Sequence, residues 1–199
     1  MNTETQKSLS KFLIDTSGSK FTVQAFSAGL LSSFGHNPII AIRDFDGQIR
    51  IDRETLQDGH MRVDVHTKRM DLVDQMKSDD RKKLEQEMYA NVLNVDQFPT
   101  ASFESKEISV QKLGGDLAMA HVEGQLAFHG VTRAFPIDAR VTRMGTMLRI
   151  SGQCTLRQSD FGIKPVSFAG GALKLKDELK FSFELVAREQ QRQEQSDEV

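Results

Sequence analysis

The sequence predicts an all-β domain of about eight antiparallel strands, arranged as a sandwich or an up-and-down barrel, with one helix. Three observations predict this fold. Apolar residues recur at every second position along most of the 199-residue chain, glycine-containing turn signals separate these runs, and one segment has a helical period instead. A long antiparallel sheet must close or cover its edges, and a closed sheet can enclose a cavity.

The clearest pair of strands flanks the dipeptide His129-Gly130, which predicts a tight turn. Apolar residues before and after this turn share one face, and charged or amide residues occupy the other. This period of two is typical of an antiparallel sheet with one buried face. The residues on the predicted buried face are Val122, Leu126, Phe128, Phe135, Ile137, Ala139 and Val141.

Alternating runs elsewhere in the chain predict the remaining strands, and further turn signals lie between them. These signals are Ser17-Gly18-Ser19, Asp46-Gly47, Asp58-Gly59, Gly114-Gly115-Asp116, Gly145 and Gly170-Gly171. The faces predicted to point inward bear Phe21, Val23, Ile49, Val63, Val65, Phe103, Leu126, Phe128, Ile150, Leu156, Phe181 and Phe183.

One segment, residues 78–92, has a helical pattern. Ser78 is the expected N-cap, and the acidic residues after it suit the positive end of the helix dipole. The cations at 81–83 are expected to form the solvated face. The apolar stripe is narrow, so we expect this helix to lie over the mouth of a barrel. The stripe consists of Leu84, Met88 and Val92.

Composition limits the class of protein. The length suits one domain, predicted at residues 12–188, between a polar arm at 1–11 and a disordered polar tail at 189–199. The net charge of −2 is dispersed and gives no electrostatic case for binding nucleic acid. The single cysteine, Cys154, excludes an internal disulfide and is expected to be a buried, unreactive thiol.

The start of the chain is polar, without a basic stretch followed by an apolar one, so we expect no secretory signal and a cytoplasmic protein. No window approaches 18 consecutive apolar residues, so no transmembrane segment is expected. The sequence leaves open whether the protein forms a homo-oligomer.

The histidines give little support for an enzyme. His60, His66, His121 and His129 all oppose apolar faces, and no pair has a close metal-ligand spacing. Catalytic motifs of hydrolases, nucleotide-binding loops and dinucleotide-binding turns are absent. Asp160 is expected to stabilise a bend beside Gly162. We therefore expect no catalytic residue, no metal and no cofactor apart from a possible bound lipid.

Four sequence pieces occur in order, with the predicted helix between the first two. They are Phe12-Leu13-Ile14-Asp15, Phe98-Pro99-Thr100-Ala101-Ser102-Phe103-Glu104-Ser105, Gly124-Gln125-Leu126-Ala127-Phe128-His129-Gly130-Val131-Thr132-Arg133 and Gln158-Ser159-Asp160-Phe161-Gly162-Ile163. Together they resemble the YceI-like family, the lipocalin-like polyisoprenoid-binding domain, over residues 12–188.

The resemblance implies an extended, lipocalin-like antiparallel β-barrel of about eight strands, with a helix near one open end, that holds a long isoprenoid or similar lipid. The segment Gly35-His36-Asn37-Pro38 resembles a branch of the family that carries Gly-His-Asp-His. This chain lacks the acid and the second histidine, so a shared role such as metal binding does not carry over.

Three functions remain to be separated. The first is non-catalytic binding of a polyisoprenoid, isoprenoid quinone or similar lipid, as carrier or sensor. The second is a ligand-free structural or stress-related barrel, and the third is an enzyme that uses His36. His36 is expected to fix its loop and to reach the ligand's head group. The predicted ligand-binding residues are Phe21, Val23, Phe34, His36, Val63, Val65, Leu84, Met88, Phe103, Leu126, Phe128, Ile150, Phe181 and Phe183.

Overall fold

The computed structural model describes residues 9–28, 37–74, 77–165, 167–168 and 173–190. Its helix α1, Ser78–Glu87, continues as a π-helical turn, Met88–Val92. The strands are β1 Ser10–Ile14, β2 Lys20–Ala28, β3 Ile39–Ile42, β4 Phe45–Ile51, β5 His60–His66, β6 Met70–Leu72, β7 Thr100–Gly114, β8 Leu117–Phe128, β9 Val131–Ala134, β10 Ile137–Met144, β11 Met147–Arg157, β12 Ser167–Phe168 and β13 Leu173–Glu189.

Eight strands form a closed antiparallel ring. The order is β1, β4, β5, β7, β8, β10, β11 and β13, and β13 then pairs with β1. Closure leaves this ring of eight strands without edges, and its interior has about the size that side chains or one ligand can fill. The predicted eight-stranded barrel is therefore confirmed, and the sandwich is ruled out.

Shorter strands lengthen the barrel at one end. β13 pairs with β1 through its last residues and with β2 through its earlier ones. β3 pairs with β2, and β6 pairs with β3. Within the described strands β6 has no partner on its other side, so this end of the wall stops at an edge. The helix is the next element after β6 along the chain and covers this edge.

The helix satisfies the backbone of β6 with side chains. The Tyr89 hydroxyl accepts a hydrogen bond from the Met70 N–H at 3.1 Å and donates to the Met70 carbonyl. Arg81 donates to the Leu72 carbonyl and, at 2.7 Å, to that of Asp74. The sequence suggested that Arg81 belongs to the solvated face of the helix. The structure instead bonds its side chain to the backbone at the end of β6 and beyond it, at Leu72 and Asp74. Its guanidinium pairs with the carbonyls that a neighbouring strand would otherwise hold.

The helix begins at Ser78, and the N-cap is Lys77, not Ser78 as expected. Lys77 makes no side-chain capping hydrogen bond. The first turn takes up one more residue than the pattern indicated, which places the Ser78 side chain within the helix. The predicted range 78–92 matches α1 and the π-helical turn together.

Buried side chains pack together at the opposite end of the barrel. Phe12, Leu148 and Ala187 are 1%, 2% and 0% exposed there. Arg143, on β10, joins the neighbouring loops: it pairs with Asp116 of the β7–β8 turn and donates to the Arg53 carbonyl at 3.1 Å. These contacts join the loops at this end of the barrel.

The sequence suggested a turn at Asp46-Gly47, but both residues lie within β4. A Cβ at Gly47 would lie 2.7 Å from the Arg62 carbonyl oxygen and 2.7 Å from the Ile14 Cδ1 atom. The glycine therefore serves the close approach of β4 to its neighbours. The same letters signal a turn or a crowded strand, and only the tertiary contacts separate the two.

Asp15 predicts a pH dependence of stability. Its carboxylate accepts from the Ser17 hydroxyl and from Arg188, which lowers its pKa to about 2. Because the pKa is depressed in the folded protein, this stabilisation is full above the ordinary value near 3.9 and is lost as the pH falls through about 2. We expect Asp15→Asn to lower the melting temperature at pH 6 and to show a weaker fall between pH 4 and 2 than the unaltered protein.

The control is Asp160→Asn, at an exposed carboxylate in another turn. Calorimetry at a series of pH values checks the prediction. If Asp15→Asn and the unaltered protein lose stability in parallel between pH 4 and 2, the Asp15 carboxylate does not contribute in this way.

Candidate ligand-binding cavity

The barrel surrounds an apolar cavity of about 260 Å³. A single water needs only about 10–15 Å³ of such space, so this cavity is far larger than a packing defect. The cavity extends from the inner face of the ring to the helix, whose Leu84 and Met88 line it. The fold therefore provides a tube with the helix over one end.

The lining includes all the predicted binding residues that the structure describes. Phe34 and His36 lie outside the described residues, so their places stay predictions. Contact of the others with a ligand also stays a prediction. Those that line the cavity are Phe21, Val23, Val63, Val65, Leu84, Met88, Phe103, Leu126, Phe128, Ile150, Phe181 and Phe183.

Sequence reasoning missed the part of the lining that comes from the short strands. Strands of three or four residues are too short to show a period clearly, so β3 and β6 were not recognised. The alternation of Met70-Asp71-Leu72 was a usable signal, because Asp71 faces outwards between two buried residues. The missed lining residues on these two strands are Ile40, Ile42, Met70 and Leu72.

Phenylalanine rings form one side of the cavity. Phe21 lies 6.2 Å from Phe181 and 6.4 Å from Phe183 between ring centroids, and it meets Phe45 edge to face at 5.8 Å. These distances suit the tilted and edge-on contacts that aromatic pairs prefer. Phe21, Phe181 and Phe183 thus give this wall a contiguous aromatic surface.

Among the described lining residues only Glu87 and Gln158 carry a charged or amide group. Gln158 is 3% exposed, and its Nε2 atom donates to the Lys176 carbonyl at 3.0 Å. Glu87, on the helix, accepts from Asn91. Both groups are engaged within the protein, so the interior offers a ligand almost entirely apolar contacts.

Cys154 lies on the inner face of β11 and lines the cavity. Burial raises the pKa of its thiol to about 11. The thiolate is the nucleophilic form of cysteine, and this side chain is neutral near pH 7. The side chain is half-buried, where the sequence predicted a buried one, and its low reactivity stays a prediction.

Three histidines lie on the outer surface beside carboxylates. His60 is 3.0 Å from Glu104, and His66 is 3.1 Å from Asp46. His121 lies 2.7 Å from Asp138, and hydrogen bonds to Asp138 and then to Glu123 raise the pKa of its imidazole. In the part of the chain that the structure describes, no three His, Cys, Asp or Glu side chains form a group that could hold a metal ion.

The parity of His129 suggested a side chain that faces solvent, but the side chain packs against two other segments. His129 and Gly130 have φ values of 50° and 77°, which form the predicted tight turn and reorient the imidazole. Its ring lies 4.4 Å from that of Phe98, and its Nδ1 atom is 3.2 Å from the Phe161 carbonyl oxygen. The turn thus brings together three of the four sequence pieces quoted for the family resemblance.

The turn at 158–161 is held by a residue that the sequence did not single out. Asp177 accepts from the Ser159 N–H and hydroxyl, and the Ser159 hydroxyl bond is the main cause that lowers the Asp177 pKa. Asp160 contributes its backbone carbonyl, which accepts from Arg133 at 2.5 Å. Gly162 ends the turn in the left-handed region.

No helix among the described residues is both long enough and apolar enough to cross a membrane.

Sequence relatives include UPF0312 proteins. One from Pseudomonas paraeruginosa is 32% identical over 127 residues, 61% of this chain and 61% of that protein. The alignment thus spans less than two thirds of that relative. One from Shewanella denitrificans is 29% identical over 160 residues, 77% of this chain and 76% of that protein.

Solved structures share the fold at low identity. A polyisoprenoid-binding domain from Saccharophagus degradans has a TM-score of 0.67 and 11% identity, with 92% of this chain and 99% of that one covered. BcnA of Burkholderia cenocepacia has a TM-score of 0.66 and 19% identity, with 87% and 98% covered. At these identities the likeness concerns the fold alone.

The sequence model of the YceI-like domain matches residues 12–187, which is nearly all of the barrel. This match agrees with the closed ring, the helix over one end and the motif residues gathered at the β8–β9 turn. The chain therefore belongs to the YceI-like domain family.

Proposed function

We propose that this barrel binds a long apolar ligand, a polyisoprenoid, isoprenoid quinone or similar lipid, as a non-catalytic carrier or sensor. The observation that carries the proposal is the apolar cavity of about 260 Å³ inside a closed barrel. The polyisoprenoid-binding domain from Saccharophagus degradans, which shares the fold, supports the choice of ligand class.

The energetics of such a site come from burial. Each buried methylene group contributes about 0.8 kcal/mol, so a prenyl chain gains affinity in proportion to the length that the tube covers. Part of this gain is offset by ordering a flexible chain. With Glu87 and Gln158 engaged in the protein, a polar head group finds few partners inside. We therefore place the tail in the lumen and the head at the helix end.

The experiment is native mass spectrometry of freshly purified protein, followed by chromatography of an organic extract. We expect a mass increment that disappears on extraction and corresponds to one lipid. A bare mass, together with no uptake of added geranylgeraniol or ubiquinone, would replace the proposal with the ligand-free barrel. A stoichiometric metal would point to the His36-dependent enzyme instead.

The cytoplasmic location stays a prediction of the sequence. Fractionation of cells that produce the untagged protein checks it, with marker proteins for each compartment. Recovery with periplasmic markers would contradict it.

A further inference from the structure

Two glycines on the inner face of the barrel lie directly against phenyl rings. A Cβ at Gly124, on β8, would lie 2.4 Å from the Cζ atom of Phe103. A Cβ at Gly152, on β11, would lie 2.6 Å from the Cζ atom of Phe183. Both rings line the cavity. Each ring therefore occupies the place on the wall that a side chain would otherwise take.

The backbone around each glycine leaves a methyl group no other place. The added Cβ would also lie 2.8 Å from the Glu104 carbonyl oxygen at Gly124 and 2.6 Å from the Asp138 carbonyl oxygen at Gly152. These oxygens belong to paired strands of a closed ring, which moves less easily than a side chain. A methyl group at either site therefore pushes the ring towards the barrel axis.

The wall beside Gly152 is made of small residues as well. Gly152 pairs with Ala139, and Ala139 pairs with Ala120 on the next strand. Ala139 and Ala120 line the cavity, and Phe183 pairs with Gly152 on the other side. At this level one wall consists of glycine and alanine and the Phe183 ring lies against Gly152, so no side chain larger than a methyl group projects from these three wall positions into the lumen.

We infer that the pairs Gly124–Phe103 and Gly152–Phe183 set the width of the lumen. They thereby make the site selective for the cross-section of the bound chain. They admit a methyl-branched chain, the shape of a polyisoprenoid, where a narrower tube would accept only a straight chain. This inference rests on the proposed function and names the residues that determine its ligand class.

The test compares a branched and a straight alcohol, geranylgeraniol and hexadecanol, by calorimetric titration of delipidated protein. Gly152→Ala is expected to weaken geranylgeraniol binding about tenfold, the scale of one misplaced methyl-sized group in an apolar pocket. Hexadecanol binding should change less than about threefold. Equal losses for both alcohols would overturn the inference.

The matched control is Gly47→Ala. It adds the same methyl group at an inward strand position with a similar carbonyl approach, 2.7 Å from the Arg62 oxygen. The side-chain atom it meets most closely is Ile14 Cδ1, at 2.7 Å, and Ile14 is not among the described lining residues. Val63, which does line the cavity, is 3.2 Å away and needs to move by only a few tenths of an ångström. Gly47→Ala should preserve the ratio of the two affinities. A shift in that ratio as large as that of Gly152→Ala would overturn the inference.

Phe183→Leu tests the same inference without crowding the backbone, even if Gly152→Ala does not fold. It should strengthen geranylgeraniol binding relative to hexadecanol, and in a Gly152→Ala background it should restore the ratio. An unchanged ratio in Phe183→Leu would overturn the inference.

A second readout needs no lipid. Xenon occupancy in crystals reports the lumen directly, and Gly152→Ala should lose the xenon site beside Phe183. Retained xenon there would overturn the inference. Failure of the unaltered protein to bind either alcohol would instead end the proposed function, and the xenon result would still decide the width of the lumen.

Discussion

Ala120→Phe is expected to weaken lipid binding strongly in a barrel that still folds. Ala120 lies on the inner face of β8, is 6% exposed and lines the cavity. A phenyl ring at this position projects into the lumen, at the level where Ala139 is the neighbour on the next strand. We expect affinity for geranylgeraniol to fall at least tenfold, which corresponds to ~1.4 kcal/mol.

The cavity makes this substitution tolerable. Large residues in a filled core cost about 1–3 kcal/mol through strain, but here the added ring enters empty space and buries apolar surface. We therefore expect a melting temperature within a few degrees of that of the unaltered protein. Calorimetry gives both quantities on the same preparation.

Ala127→Phe is the matched control, because it places the same ring on the same strand. Ala127 pairs with Ser102 and Thr132, and its parity is opposite to that of Ala120. Its side chain therefore faces outwards, and the variant should bind lipid as the unaltered protein does. Undiminished binding by Ala120→Phe would show that the lipid does not occupy the lumen.

The inner faces of the long strands could be predicted from the sequence because their parity is continuous. Ile150 and Leu156 share the inner face of β11 with Cys154, and no bulge intervenes in its pairing with β13. With a period of two, the face on which one side chain lies then determines the face of every other side chain in the strand. The same reasoning succeeds for Phe181 and Phe183, on the paired stretch of β13.

Irregularities in the pairing between strands could not be predicted in this way. β13 pairs with β2 across a register shift between Leu175 and Leu179, and the sequence does not show where such a shift falls. The role of Gly47 was equally hidden, since crowding by Ile14 arises from residues distant in the chain. Local patterns report faces, whereas close approaches depend on which strands become neighbours.

The helix was predictable as an element, but its function at the edge of β6 was not. Arg81 and Tyr89 look like ordinary helix residues until β6 is known to lack a partner among the described strands. Their hydrogen bonds replace a strand with two side chains. Side chains release such bonds more readily than a strand does. The contact between the helix and β6, which we call the helix seam, is therefore the part of the wall expected to open first.

Tyr89→Phe is therefore expected to speed the release of bound lipid. The Tyr89 hydroxyl both accepts from the Met70 N–H and donates to the Met70 carbonyl, and its loss leaves both groups of β6 unpaired. Desolvation is the main cause that raises the Tyr89 pKa, so the hydroxyl is protonated at neutral pH and can make both bonds. A loss of about 1 kcal/mol predicts dissociation ~fivefold faster, measured by stopped-flow transfer of a fluorescent prenyl alcohol to vesicles.

Arg81→Ala tests the same seam with an internal probe. The chain has one tyrosine and no tryptophan, so its intrinsic fluorescence reports on Tyr89 alone. In Arg81→Ala we expect the tyrosine signal to change at a lower urea concentration than the circular dichroism of the strands, because the helix leaves β6 before the ring unfolds. Lys82→Ala, at the neighbouring exposed cation, is the control and should show coincident transitions. If both variants unfold in one coincident transition and Tyr89→Phe releases lipid at the unaltered rate, the helix seam is not the way in, because the bonds that hold it do not limit exchange.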